Sequence, residues 1–343
     1  SIENPGIIYI SGASEYTVKI LAQLRQAGNK SSVLITDPLS ENAMTFLNSL
    51  PEEEAFPGYF TNGVYTMAVF LSDIANEKAS IFRKEYLQKY NKEPKWLAAF
   101  YYDAAAIACE AMKRAEIQGT GHIRRDRIQI RKALERMYRP DTGIKGVQGY
   151  IYFDENGDSN GPLAIGFYQN RKLLPTFSQY RLKIEQDDSK DNPVEKVLSG
   201  ESVVVGGRIM NNMQIVYAGL DINAISRLDI SKASYRADFY LWFRYKGEFD
   251  EIENIEFPDS VNPVKLGNPV SERQEGDITI KTYHINADFK ADFDFHKYPF
   301  DIHKLKIKFR HKDIIRDSLI YVPDTLGMSG TKNKDIHVGT SEI

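Results

Sequence analysis

Hydrophobic positions follow two different periods along the chain, and the change of period divides it. Ile7 to Ser11 is a short apolar run that predicts a strand, and Ser32 to Ile35 predicts a second. Between them, Val18, Leu21, Ala22 and Leu24 fall on one helical stripe, so Thr17 to Ala27 predicts a helix. Ser14 is expected to cap its start and Gly28 its end. A strand, a helix and a strand at this spacing make a βαβ unit, hence a parallel sheet with a right-handed crossover. Helices are expected over 39–48, 74–90, 97–116 and 127–137, and strands over 62–70, 149–153 and 163–169, with 172–175 following.

After residue 200 the period falls to two. In Tyr235 to Tyr245 the odd positions are Tyr, Ala, Phe, Leu, Phe and Tyr, and the even ones are Arg236, Asp238, Tyr240, Trp242 and Arg244. This predicts a strand with the odd face buried. Val203 to Tyr217 reads as a long extended stretch, bulged at Gly206-Gly207. Asp277 to Ile285 and Ser318 to Val322 read as further strands. Around 291–305, Phe289, Ala291, Phe293 and Phe295 alternate with acidic or basic neighbours. Leu305, Ile307 and Phe309 alternate with Lys304, Lys306, Lys308 and Arg310. Two strands joined by a turn at Tyr298-Pro299-Phe300-Asp301 are expected, the acidic face of one opposite the basic face of the other. Between the two regimes, 185–200 is polar, carries Pro193 and reads as a linker.

Composition changes this picture little. The 343 residues, 42% hydrophobic and 27% charged, fit two ordinary domains. A net charge of −3 gives no nucleic-acid footprint. The single cysteine, Cys109, excludes an intrachain disulfide and a cysteine metal cluster, and it reads as a small core residue in an Ala-rich helix. No apolar run approaches the roughly 18 residues of a membrane span. No secretory leader is legible, and the abrupt start reads as a cut from something longer.

Two resemblances follow from particular residues. Phe293, Phe295, Tyr298, Pro299 and Asp301 stand at the spacing of the signature loop of pentameric ligand-gated ion channels. Ala291 and Leu305 stand where that family's cysteines would be, as in its prokaryotic branch. The stretch 201–343 thus resembles that family's extracellular domain, and the resemblance implies an immunoglobulin-like β-sandwich. It also implies a coupling loop of Phe293, Phe295, Tyr298, Pro299, Phe300 and Asp301 facing a membrane domain. Residues 1–183 resemble the later part of a type I periplasmic solute-binding protein of the leucine/isoleucine/valine class. Four motifs carry this: Ser-Gly-Ala-Ser-Glu after residue 10, Thr-Asp-Pro-Leu-Ser at 36–40, Tyr-Asn-Lys-Glu-Pro with Tyr-Tyr-Asp-Ala at 90–104, and Gly-Tyr-Ile-Tyr-Phe-Asp-Glu-Asn-Gly-Asp at 149–158. In that resemblance the family's first lobe is largely absent.

Ligands of parallel sheets sit beyond the carboxyl ends of the strands. Candidate ligand contacts there are Ser11, Ala13 and Ser14, beside a helix N-terminus that can receive a carboxylate. Asp37 is the acidic residue that the resemblance sets against a ligand ammonium group. Tyr65 and Tyr102 are candidate cleft-lining aromatics. The alternatives are capping for the serines, a turn for Asp37 and core packing for the tyrosines. Asp154 to Asp158 starts like a calcium loop, but Ser159 replaces the glycine and Ile165 the glutamate, so a polar turn is expected. His296 and His303 flank the turn without a third ligand at recognisable spacing, so no metal site is expected, and no cofactor or catalytic motif stands out.

These readings combine into a multi-domain chain. An α/β doubly wound domain spans 1–184, a linker 185–200 and an all-β sandwich 201–343. The expected function is non-enzymatic. It is the ligand-sensing region of a bacterial membrane receptor or ligand-gated channel, binding an amino acid or similar solute and relaying it to the membrane domain of its parent. A pentamer in that parent, a periplasmic membrane-anchored location and no nucleic-acid partner belong to this reading. The alternatives are the solute-binding component of an amino-acid ABC transporter and an assembly module without a ligand.

Overall fold

The computed structural model describes residues 6–68, 70–119, 121–159, 163–182, 193–205, 208–247, 252–293, 295, 296, 300, 303–313 and 318–328. The chain divides into two compact units, residues 1–212 and 213–341.

In the first unit, β1 (Ile8–Ile10), α1 (Ser14–Gln26) and β2 (Val33–Ile35) form the expected βαβ element, and the two strands pair in parallel. α1 ends in a Schellman cap. Gly28 at φ +78° bonds to the Arg25 carbonyl and Asn29 to the Leu24 carbonyl. Helices α2 (Glu41–Asn48) and α3 (Pro51–Ala55) lead to β3 (Val64–Ala68), parallel to β2. α4 (Glu77–Tyr90), α5 (Trp96–Arg114) and α6 (Ile123–Glu135) follow. The stretch expected as a strand at 149–153 is shorter, a two-stranded ribbon of β4 (Ile144–Lys145) and β5 (Tyr150–Ile151). β6 (Ala164–Gln169) and β7 (Lys172–Pro175) complete a sheet of order β1-β2-β3-β6-β7. Both run antiparallel to their neighbours, so the sheet is mixed rather than parallel throughout.

One face of this sheet is sealed. Ile10, Val33, Ile35 and Val64 pack against Val18, Leu21, Ala43 and Leu47 of α1 and α2. Arg25, buried on α1, donates to the carbonyls of Asn29, Ser31 and Asn62, which ties the helix to the loops that lead into β2 and β3. The opposite face carries Tyr9, Leu34, Tyr65 and Phe167 in register, and Tyr9 is 58% exposed. Next come β8 (Ser178–Leu182), α7 (Pro193–Leu198), inside the stretch read as a linker, and β9 (Ser202–Val205). β9 pairs antiparallel with the start of β10 (Arg208–Asp229), Val205 opposite Arg208. The stretch expected as one strand is therefore two antiparallel ones, and the bulge expected at Gly206-Gly207 lies outside the described residues.

The second unit is built on β10, β11 (Ser234–Lys246), β13 (Ser271–Glu275), β14 (Ile278–Lys290) and β16 (Leu319–Pro323), with β12 (Ile255–Glu256) and β15 (Arg310–His311) as a separate ribbon. The sheet order is β13-β14-β11-β10-β16, antiparallel except for the parallel β10–β16 pair. The odd face of β11 is buried from Tyr235 to Tyr245, as its alternation predicts. Cross-strand partners Tyr283, Ile285 and Phe289 join it in one core, closed by Ile252, Ile255 and Phe257.

The stretch 291–309 departs from expectation. β14 ends at Lys290, and residues 303–309 join no ladder, although Leu305, Ile307 and Phe309 pack on the core at alternate positions. Tyr235 holds the segment by donating its hydroxyl to the Lys306 carbonyl at 2.8 Å. Among the described residues the expected pairing of an acidic with a basic strand does not form. Asp288 is taken bidentately by Arg236 on β11, Lys308 pairs with Asp259 and Arg310 with Glu256. Alternation thus predicted burial correctly, while the hydrogen-bond partner depended on which strand lay alongside. Off this order, β8 and β9 also pair with β10, and among the described residues of this unit the β12–β15 ribbon is the further sheet.

Candidate functional site

The carboxyl ends of β1 and β2 adjoin. Ala13, in extended conformation, is the N-cap of α1 and gives no side-chain cap, so Ser14 is the first helical residue and not the cap expected. The reason is a competing partner. The Ser14 hydroxyl accepts the backbone N–H of Ser40 at 3.4 Å, joining the loop after β1 to the loop after β2. Ser40 is itself the N-cap of α2, accepting from Ala43 at 3.3 Å. Thr17, buried, donates to the Gly12 carbonyl and fixes the turn out of β1. A further anchor comes from Tyr168 on β6, whose hydroxyl accepts the Leu39 N–H at 2.8 Å. Burial pushes that phenol up to about 12, and the Leu39 donor opposes the shift.

This framework presents Ser11, Gly12 and Ala13, all exposed, and half-buried Ser14 beside exposed Asp37. Among the described residues the Asp37 carboxylate has no hydrogen bond or ion pair. A helix N-terminus and a free carboxylate therefore stand at neighbouring strand ends, an arrangement suited to a ligand bearing both charges. The two aromatic candidates lie elsewhere. Tyr65 sits within β3 with its ring 6.2 Å from Phe167, and Tyr102 packs on Phe82 at 4.9 Å. Both make ring contacts away from the strand ends.

Sequence reasoning missed Tyr168, Ser40 and Asp103. Asp103 is 2% exposed and accepts the backbone N–H groups of Val147 and Gln148 and the Gln148 side-chain amide, anchoring α5 to 146–148. Burial, opposed by these donors, holds its carboxyl above the usual range. It follows two tyrosines in a helical run, but the loop that claims it lies 44 residues away. Cys109 is exposed, not in the core, because the Ala-rich side of α5 that carries it is uncovered. Asp154 forms the polar turn expected, accepting from Asn156 and Asp158 at 2.9 Å each.

In the second unit, Phe293 and Phe295 lie against the His303 ring at 5.3 and 5.2 Å, and Phe300 is 85% exposed. Tyr298, Pro299 and Asp301 of the expected coupling loop lie outside the described residues. On the outer face of the sheet, Asp238 accepts from His284, Asn286 and Asn223, the last at a β-bulge, and these partners hold its carboxyl below the usual range. Among the described residues no group of three or more His, Cys, Asp or Glu could hold a metal ion, and no helix is long and apolar enough to cross a membrane.

Residues 3–169 match the periplasmic binding protein family. The match spans just under half of the chain and describes the first unit. Solved structures include the leucine-binding protein LivK of Thermotoga maritima, 26% identical over 50% of this chain and 44% of that one, with a TM-score of 0.38. LivJ of Streptococcus pneumoniae, in complex with isoleucine, is 21% identical over 50% and 44%, with a TM-score of 0.39. An ABC transporter substrate-binding protein of Desulfitobacterium hafniense, in complex with Leu, is 18% identical over 50% and 43%, with a TM-score of 0.37. This chain spans less than half the length of these structures. No curated protein matches. The expected channel-type domain has no counterpart in these findings, whereas the family match agrees with the solute-binding resemblance of the first unit.

Proposed function

We propose that the first unit is a lobe of a periplasmic-type receptor for a small zwitterionic solute, an amino acid in kind. This is the solute-binding component of a transport system rather than a channel sensor. The observation that carries the reading is the junction of the two strand ends by Ser40 and Ser14. It joins the loop that opens α1 to the loop that carries Asp37, which supports reading both as one site. The helix end would receive the ligand carboxylate and Asp37 its ammonium group. The family match of residues 3–169 supports the class, and an extracytoplasmic location is part of the same proposal. Ser11 and Ala13 contribute backbone groups at the rim.

The test is a thermal-shift screen of the twenty amino acids and small carboxylates, starting with leucine and isoleucine, followed by calorimetry. A ligand at a hundred times its dissociation constant stabilises by about 2.7 kcal/mol. One amino acid should raise Tm in the parent and not in Asp37→Ala. A panel without any shift, or a shift that Asp37→Ala leaves intact, would overturn the reading.

A further inference from the structure

Positive charge in the first unit is concentrated on α6. The helix carries five cations against two carboxylates, +3, in a chain whose net charge is −3. Its inner side is apolar. Ala133 is buried, and Ile130 and Leu134 pack with it against Ala111 of α5. The helical period therefore turns the cations outward, and Arg124, Arg125, Arg127, Arg131 and Lys132 are all exposed. The two carboxylates are already engaged. Glu135 pairs with Arg131 at 2.8 Å, and Asp126 accepts the Gly119 N–H at 3.0 Å. Among the described residues the side chains of Arg124, Arg125, Arg127 and Lys132 have no ion pair. The basic stripe of the second unit differs, because Asp259 takes Lys308 and Glu256 takes Arg310.

An isoleucine stands among these charges. Ile128, 48% exposed, has Arg124 and Arg125 one turn before it and Arg131 and Lys132 one turn after. Gly121, His122, Arg124, Arg125 and Ile128 line a shallow open hollow of about 350 Å³. Unpaired cations around an exposed aliphatic side chain match a surface that presents phosphates with hydrocarbon just beneath them. Clustered Lys and Arg on a helix are drawn to anionic headgroups, and an apolar side chain at the same level gains by entering the interface. A soluble polyanion would engage the charge and leave Ile128 in water.

We propose that α6 is a docking surface for an anionic phospholipid bilayer. Arg124, Arg125, Arg127 and Lys132 meet the phosphates, and Ile128 sits at the level of the headgroups. The inference does not depend on the ligand.

Flotation of the 343-residue chain with vesicles tests it. The chain should float with vesicles of phosphatidylglycerol and phosphatidylcholine in equal parts, stay behind with phosphatidylcholine alone, and be released by added salt. Arg124→Gln and Lys132→Gln, both at exposed positions, should each weaken binding roughly fivefold, and together roughly twentyfold, with the melting temperature unchanged. Arg125→Gln stands in if either variant melts early. Ile128→Gln should weaken binding and leave its salt dependence as it was. Lys306→Gln, which removes an exposed cation of the second unit, should change nothing. A parent that ignores the anionic vesicles would refute the proposal. So would α6 variants that bind like the parent, or a Lys306→Gln loss as large as theirs. Ile128→Gln binding at full strength, with polyglutamate competing for the same face, would mark an acidic protein partner and refute it too.

Discussion

Gly219 pairs with Trp242 across β10 and β11, and the indole lies flat over it. A Cβ at residue 219 would stand 2.0 Å from Cζ2 and 2.1 Å from Cε2 of that ring. No rotation of a flexible tip relieves this contact, because the atoms belong to a rigid ring. The ring is also tethered. Trp242 Nε1 donates to Asp324 at 3.0 Å, and the same carboxylate, 2% exposed, takes Arg244 at 2.8 Å. Arg244 in turn lies over the Tyr217 ring at 4.2 Å. Gly219→Ala must therefore move the strand or swing the indole off Asp324. Overpacking costs about 1–3 kcal/mol, and losing a bond to a buried carboxylate adds up to about 3 kcal/mol. A destabilisation of about 2–5 kcal/mol is expected. Urea denaturation followed by circular dichroism measures it. The Gly219→Ala, Trp242→Ala cycle tests the cause, since without the ring the added methyl should cost little. A single variant within about 0.5 kcal/mol of the parent would refute the reasoning, as would a cycle in which the two costs simply add.

Three further outcomes are expected. Phe239→Ala, at 0% exposure between Phe257 and Phe289, should cost about 3–5 kcal/mol in the same denaturation assay. Asp103→Ala should lower the melting temperature and speed hydrogen exchange at Val147 and Gln148, which lose their acceptor, while exchange in β11 stays unchanged. Burial raises the Asp324 carboxyl, but Arg244 and Trp242 outweigh it and leave it below the usual range. Its contribution to stability is therefore present above the unfolded value of about 3.9 and lost as pH falls through the lower folded value. Acid denaturation of Asp324→Asn should be flatter below pH of about 4 than that of the parent.

The sequence by itself determined the opening βαβ unit, the change of period after residue 200 and the buried face of β11. These follow from a side-chain period of 3.6 or 2, which every residue reports locally. It also located the strand ends that carry Ser11, Ala13, Ser14 and Asp37, because glycine, serine and proline punctuate them. Only the tertiary structure decided which partner each element found. Leu305, Ile307 and Phe309 alternate like a strand, yet a ladder needs a neighbour with free N–H and C=O groups. β11 and β13 already occupy both sides of β14. Ser14 has the chemistry of a cap, but its hydroxyl serves Ser40 because the fold brings that N–H within reach. Cys109 sits in a run that reads as core, and it is exposed because burial depends on what covers a helix, not on the helix alone. Asp103, Tyr168 and Trp242 owe their roles to partners 44, 129 and 82 residues distant. Such pairings are properties of the assembled chain, since only folding brings the two partners together.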